Sequence, residues 1–264
     1  MKVFDLDAVR AEFPALAQSV HGQPLTYLDN AATTQRPQAV IAAWNEMVTG
    51  PSANINRGSH ALARAAQARY DAARESVARF IGAPSPEQII WTKGCTEALN
   101  LVAHSWGRAH LRAGDVILVG TNEHHANLVP WQMVAAATGA VVRPIPISEA
   151  GELDLAALSA RLDERVRVVA VKHICNVLGT VNPVAEIGRM AHAVGAIIVV
   201  DAAQALAHIP VDVAALDVDF YCGGSHKVYG PMGVGFLYGR RELLEAMPPY
   251  QGGGDMIRTV AFDH

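Results

Sequence analysis

The sequence predicts an α/β fold, a single sheet of about seven mainly parallel strands with helices on both faces. From Gln88 onward short apolar runs alternate with longer helical stretches, the pattern of strands buried on both faces. Helix punctuation falls between those runs: Asp154 and Pro183 stand at helix starts and Gly195 at a helix end. No internal repeat or low-complexity linker divides the alternation, so the residues read as one domain.

Residues 5–19 are expected to form a short helix interrupted near Pro14, and Leu25 to Leu28 a strand running into Asp29-Asn30-Ala31-Ala32-Thr33. Residues 1–24 are taken as an amino-terminal arm packed outside the sheet and 25–264 as the large domain. A helix from about Pro37 to Val48 begins with proline and stops at Gly50-Pro51. After the polar stretch SANINRGSHALA, a long helix from Ser59 to Ile81 carries Leu62, Ala66, Ala73, Val77 and Phe80 on one side and stops at Gly82. Arg57, in the loop before it, reads as a solvated or capping residue. Strands are expected at 88–91, 115–119, 140–145, 166–171, 196–200, 218–222 and 233–238, with helices at about 95–106, 126–138, 154–162 and 183–194.

The composition, 51% hydrophobic and 17% charged over 264 residues, is that of a soluble α/β enzyme. No apolar run approaches the roughly 20 residues of a membrane span, and MKVFDLDAVRAEF lacks a signal peptide's apolar centre, so a cytoplasmic protein without membrane contact is expected. The net charge of −4 and the lack of a basic stripe argue against nucleic acid as a partner. Cys95, Cys175 and Cys222 have no metal-ligand spacing and fit reduced thiols.

Ligands of open α/β sheets collect beyond the carboxyl ends of the strands. Between the last two expected strands, Gly223-Gly224-Ser225-His226-Lys227 holds a lysine among glycines and apolar runs. Such a lysine either snorkels out of its loop or supplies an amine for a Schiff base. After strand 88–91, TKGCTEALN places Gly94 before a helix whose Cys95 and Thr96 would offer free amides and a hydroxyl to a phosphate, although plain helix capping has the same residues. After strand 115–119, adjacent His124 and His125 diverge too much to share a metal, and one suits stacking on a flat aromatic ligand. After strand 166–171, Asn176 could donate to a ligand oxygen. Asp201, directly after AIIVV, either caps a helix or pairs with a protonated ring nitrogen, since an isolated buried carboxylate is costly. A lysine, an aspartate, a phosphate cradle and a stacking histidine together describe a site for pyridoxal 5'-phosphate.

Over almost the whole chain the motifs YLDNAATTQRP, NINRGSHALA, EHHANLVPWQ, NVLGTVNPVAEI, VDAAQALAHIPVDV, DFYCGGSHKVYGPMGVGFLY and MPPYQGGGDMI resemble class V, fold-type I pyridoxal phosphate enzymes, and most closely SUF-type cysteine desulfurases. The resemblance implies that Lys227 carries the cofactor as a Schiff base and moves the substrate proton, that Asp201 pairs with the pyridine nitrogen, and that His124 stacks on the ring. It implies further that Gln204 bonds the phenolic oxygen, that Asn176 lies near the substrate carboxylate, and that Thr96, Cys95 and His226 hold the phosphate. The reaction implied converts L-cysteine to L-alanine and passes sulfur through a cysteine thiolate to an acceptor protein for iron-sulfur cluster assembly, in a homodimer.

The chain departs from the family in three places. Relatives continue past TVAFDH with a smaller carboxyl-terminal domain that carries the nucleophilic cysteine and a carboxylate-binding arginine, so a truncated enzyme with an exposed apolar face is expected. Relatives read serine-glycine-histidine-lysine where this chain reads Gly224-Ser225-His226-Lys227, and close relatives often have histidine where Asn56 stands. Three alternatives share the ring-binding residues: a class V aminotransferase, a selenocysteine lyase, and an inactive fragment that binds the cofactor.

Overall fold

The computed structural model describes residues 4–56, 58–254, 256–257 and 259–262. Two short strands, β1 (Ser19–Val20) and β2 (Gln23–Pro24), form an antiparallel hairpin. The main sheet contains β3 (Ile89–Thr92), β4 (Val116–Gly120), β5 (Val141–Ile145), β6 (Val166–Lys172), β7 (Ile197–Asp201), β8 (Phe220–Gly224) and β9 (Gly235–Gly239). Its order is β3-β9-β8-β7-β6-β4-β5. Strands β5, β4, β6, β7 and β8 pair in parallel, while β9 runs antiparallel to both β8 and β3. The expected seven mainly parallel strands are all present, each within two residues of its sequence position.

Alternate residues of the buried strands feed two separate cores, as a period of two requires. On one face Leu118, Val169, Val171, Ile198 and Val200 pack with Ile187 and Ala191 of the helix Val184–His192 and with Ala78 of the helix Ala61–Phe80. On the other, Ile117, Val119, Ala170 and Val199 pack with Leu99 of the helix Cys95–Leu101 and with Trp131 and Val134 of the helix Val129–Thr138. The helix Cys95–Leu101 runs through a π-helical stretch, Val102–Gly107, into a last turn at Arg108–His110.

Two expectations are corrected. Leu25 to Leu28 is extended but pairs with no strand, because its backbone groups are taken elsewhere: the Leu25 N–H donates to the Gln18 carbonyl at 2.9 Å and the Leu25 carbonyl accepts from Arg10 Nη2 at 2.6 Å. In the helix Ala61–Phe80 the fully buried residues are Ala63 and Ala78; of the expected face Ala66 and Val77 are half-buried, Val77 packing on the core, whereas Leu62, Ala73 and Phe80 are exposed. Two alanines let the helix approach closely where larger side chains would hold it off. Arg57, and Asp255 of the MPPYQGGGDMI stretch, lie outside the described residues.

Candidate active site

Strands β6, β7 and β8 finish at one edge of the sheet, and their last polar side chains finish with them. Lys172, Asp201 and Cys222 are register partners across the three strands and so share a face. Beyond that edge lies a cavity of about 980 Å³. Lys227, Asp201, Gln204 and His124 line it, and so do Thr96, Cys95, Asn176 and His226. These eight residues therefore meet at one place, although they are spread over five loops.

Lys227 ends a 3-10 turn, Ser225–Lys227, that links β8 to β9. The Ser225 carbonyl ties the turn by accepting from Val228 N at 2.8 Å and Gly230 N at 2.9 Å. The Ser225 hydroxyl is turned away from the cavity, its one proton shared between the carbonyls of Pro231 and of Val234, the latter at 3.0 Å. The order Gly224-Ser225 thus places the hydroxyl in the turn. The amino-terminal segment crosses the turn as a clamp: the His226 carbonyl accepts from Thr34 N at 2.9 Å and Thr33 Oγ1 at 3.0 Å, and Thr34 Oγ1 accepts from Tyr229 N at 2.8 Å. Ala31 and Ala32 of the same segment line the cavity, so this part of the chain belongs to the site.

Asp201 is 6% exposed. Its Oδ1 accepts from Ala203 N at 2.8 Å and, at 3.3 Å, shares the Cys95 thiol proton with the Cys222 carbonyl, which lies 3.1 Å from that sulfur, while Oδ2 accepts no hydrogen bond from the described residues. Burial first, and Asp201 second, push the Cys95 thiol well up, so the sulfur stays protonated as a donor. The Gly94-Cys95 turn sits tightly on the sheet. A Cβ on Gly235 would fall 2.5 Å from Gly94 Cα and 2.5 Å from the Gly223 carbonyl oxygen, so only glycine lets β9 approach. His226 Nδ1 is buried and lacks a hydrogen-bond partner among the described residues. Burial, Lys227 and Arg36 lower the His226 pKa, which keeps the ring neutral.

These features fit pyridoxal 5'-phosphate. An unshared carboxylate oxygen matches a protonated ring nitrogen, and an orphaned imidazole nitrogen beside the helix start at Cys95 and Thr96 matches a phosphate. Among the described residues no group of acidic, cysteine and histidine side chains could hold a metal ion. The His124 and His125 rings lie 6.1 Å apart at 54° and do diverge.

The remaining predicted residues are oriented by identifiable partners. His124 Nδ1 accepts from Ala126 N at 3.1 Å, which leaves the proton of the neutral ring on Nε2. Gln204 Nε2 donates to the Ala31 carbonyl at 2.7 Å, tying the residue to the amino-terminal clamp. Asn176 Oδ1 accepts from Lys172 Nζ at 3.3 Å. Lys172, at 2% exposure, also lines the cavity and went unremarked in the sequence. The signal was available, since a lysine directly after VRVVAV is as anomalous as an aspartate after AIIVV. Glu123 lies behind it, accepting from Lys172 N at 2.8 Å and Asn127 Nδ2 at 2.9 Å. Burial pushes its carboxyl up to about 8 against the pull of those donors.

The model of the aminotransferase class-V family matches residues 26–264. A probable cysteine desulfurase of Vibrio cholerae is 55% identical over 99% of this chain and 65% of its own length. A cysteine desulfurase of Dickeya dadantii is 54% identical over 98% of this chain and 63% of its own. Among solved structures, a cysteine desulfurase of Escherichia coli in an S-sulfonic acid form superposes with a TM-score of 0.88 at 43% identity, covering 99% of this chain and 64% of that one. The apo cysteine desulfurase of Thermococcus onnurineus gives 0.90 at 37% identity with the same coverage. The chain spans slightly less than two thirds of the length of these curated relatives.

Proposed function

The chain belongs to the class-V aminotransferase family, and from that premise we propose that it is a pyridoxal 5'-phosphate-dependent cysteine desulfurase of the SUF type, converting L-cysteine to L-alanine and passing the sulfur on for iron-sulfur cluster assembly. The observation that carries the reading is that Lys227 and Asp201 share one cavity with a helix-start cradle and a histidine. The cysteine desulfurases matched over nearly the whole chain support the choice of substrate.

When bound, pyridoxal 5'-phosphate supplies a ring that takes up the electron pair left at the substrate's α-carbon. Asp201 Oδ2 holds the proton on the ring nitrogen, and the thiol of Cys95 and the amide of Ala203 keep that carboxylate oriented. Lys227 binds the cofactor and moves the proton at the α-carbon. His124 would stack on the ring, Gln204 would bond its phenolic oxygen, and Asn176 would bond the substrate carboxylate. Thr96, His226 and the amide of Cys95 would hold the phosphate. Burial pushes the Cys95 and Cys222 thiols up, so neither is suited to attack the substrate sulfur. The substrate sulfur passes to a thiolate other than these two, whose new S–S bond forms as the substrate's C–S bond breaks. Val177, Leu178 and Met232 stand exposed near the site, an apolar surface that supports a homodimer.

The test is to supply the purified protein with L-cysteine and an acceptor thiol and to measure sulfide and alanine together. Equimolar sulfide and alanine are expected, with loss of both in Lys227→Ala. Alanine formed only by amino-group exchange with a 2-oxo acid would assign an aminotransferase, and preference for L-selenocysteine a selenocysteine lyase.

A further inference from the structure

We propose that Lys172 is a positioning residue that turns the amide nitrogen of Asn176 toward the cavity and places a buried positive charge behind it, so that this wall of the site selects ligands bearing a carboxylate. The inference rests on the amino-acid substrate proposed above.

Lys172 ends β6 and is 2% exposed, yet its Nζ pairs with no carboxylate among the described residues. Two of its three N–H donors are taken by neutral oxygens, the Asn122 carbonyl and Asn176 Oδ1, the latter at 3.3 Å. The charges around it are committed elsewhere. Glu123 accepts from the Lys172 backbone amide, not the ammonium, and burial pushes it up to about 8, so it is largely uncharged at neutral pH. Asp201, its register partner, uses Oδ1 for Ala203 and Cys95. Cys175 lies beside it: burial raises that thiol, but the Leu178 and Val177 amides and Lys172 together bring it below its ordinary value. A buried ammonium without a carboxylate is costly, and a ligand anion in the cavity would relieve the cost.

The second element is direction. An asparagine amide has one accepting oxygen and two donating hydrogens. With Oδ1 taken by Lys172, and with no partner for Nδ2 among the described residues, Asn176 shows the cavity donors only. Donors backed by a cation complement a group that only accepts, which is what a carboxylate is. Without Lys172 nothing holds the amide in that orientation.

The experiment is calorimetric titration of the cofactor-loaded protein with L-alanine and with L-alaninamide, which differ in the carboxylate alone. In Lys172→Met, L-alanine affinity is expected to fall about tenfold to a hundredfold, the range for a hydrogen-bonding arrangement around a charge, with L-alaninamide unchanged. Lys172→Gln, which keeps a donor for Asn176 without the charge, should fall between. Equal weakening of both ligands would mean a structural role only, and unchanged L-alanine affinity would mean no role; either overturns the proposal. Should the methionine variant fail to fold, the same comparison in the glutamine variant decides. Wild-type protein that binds neither ligand would instead overturn the desulfurase reading.

Discussion

Lys172 and Asp201 are register partners on neighbouring parallel strands and face the same cavity, yet they form no ion pair. Each has local partners of its own, Lys172 the oxygens of Asn122 and Asn176, and Asp201 Oδ1 the amide of Ala203 and the thiol of Cys95. Had they paired, each would have neutralised the other in a region of low dielectric. Kept apart, a buried cation and a buried anion both act on whatever occupies the space beyond the strands. A ligand with a protonated ring at one place and a carboxylate at another would be recognised by that separation.

Asp201→Asn retains an acceptor for Ala203 and Cys95 but removes the negative charge. Stability should change by no more than about 1 kcal/mol, because the local hydrogen bonds survive. Turnover should fall by about 10²–10⁴, the scale of a lost proton-holding group. Thermal unfolding alongside initial rates separates the two effects.

Lys227→Ala removes the only lysine in the turn that lies between β8 and β9. The visible absorbance and the borohydride-reducible adduct of the cofactor-loaded protein should disappear, with turnover reduced by at least about 10²-fold. An equally yellow and reducible variant would place the attachment elsewhere, with Lys172 and Lys93 the other lysines that line the cavity.

Glu123 gives the fold a pH dependence of definite sign. Its carboxyl is raised from 4.5 to about 8 by burial, so the folded state holds a proton that the unfolded state releases. The contribution is fully present below about pH 4.5 and is lost as pH rises toward about 8, beyond which it changes no further. Glu123→Gln should flatten this part of the stability curve. Urea unfolding at intervals between pH 5 and pH 8 would show the difference, and parallel curves for the two proteins would contradict the assignment.

Gly235→Ala introduces a methyl group 2.5 Å from Gly94 Cα and 2.5 Å from the Gly223 carbonyl oxygen, both backbone atoms. Overpacking at such a contact costs about 1–3 kcal/mol. Because the displaced turn leads into Cys95 and Thr96, phosphate affinity should weaken as well. Denaturant midpoints and titration with inorganic phosphate measure the two consequences separately.

Much of this was legible along the chain because it depends on local pattern. Runs such as VRVVAV and AIIVV can be covered only by helices on both faces, and the glycines around Lys227 mark a turn between two such runs. A carboxylate after AIIVV announces itself by its cost. What the linear order hides is which neighbours receive each group. The Ser225 hydroxyl could have faced a phosphate, but the turn gives it to Pro231 and Val234. Nothing in the segment Ala31–Arg36 names its neighbours, yet its threonines clamp the His226 carbonyl across nearly two hundred residues of sequence.

By itself, then, the order of amino acids determined the layered α/β architecture, the strand edge at which polar groups collect, and several of the residues gathered there, since hydrophobic periodicity and the cost of buried charge act through near neighbours. Only the tertiary structure decided that Lys172 turns to Asn176 and not to Asp201, that Cys95 donates to the buried carboxylate, and that the amino-terminal segment closes over the lysine turn. These depend on distances between strands and loops remote in sequence, and hydrogen bonds are allotted by such distances, not by order along the chain.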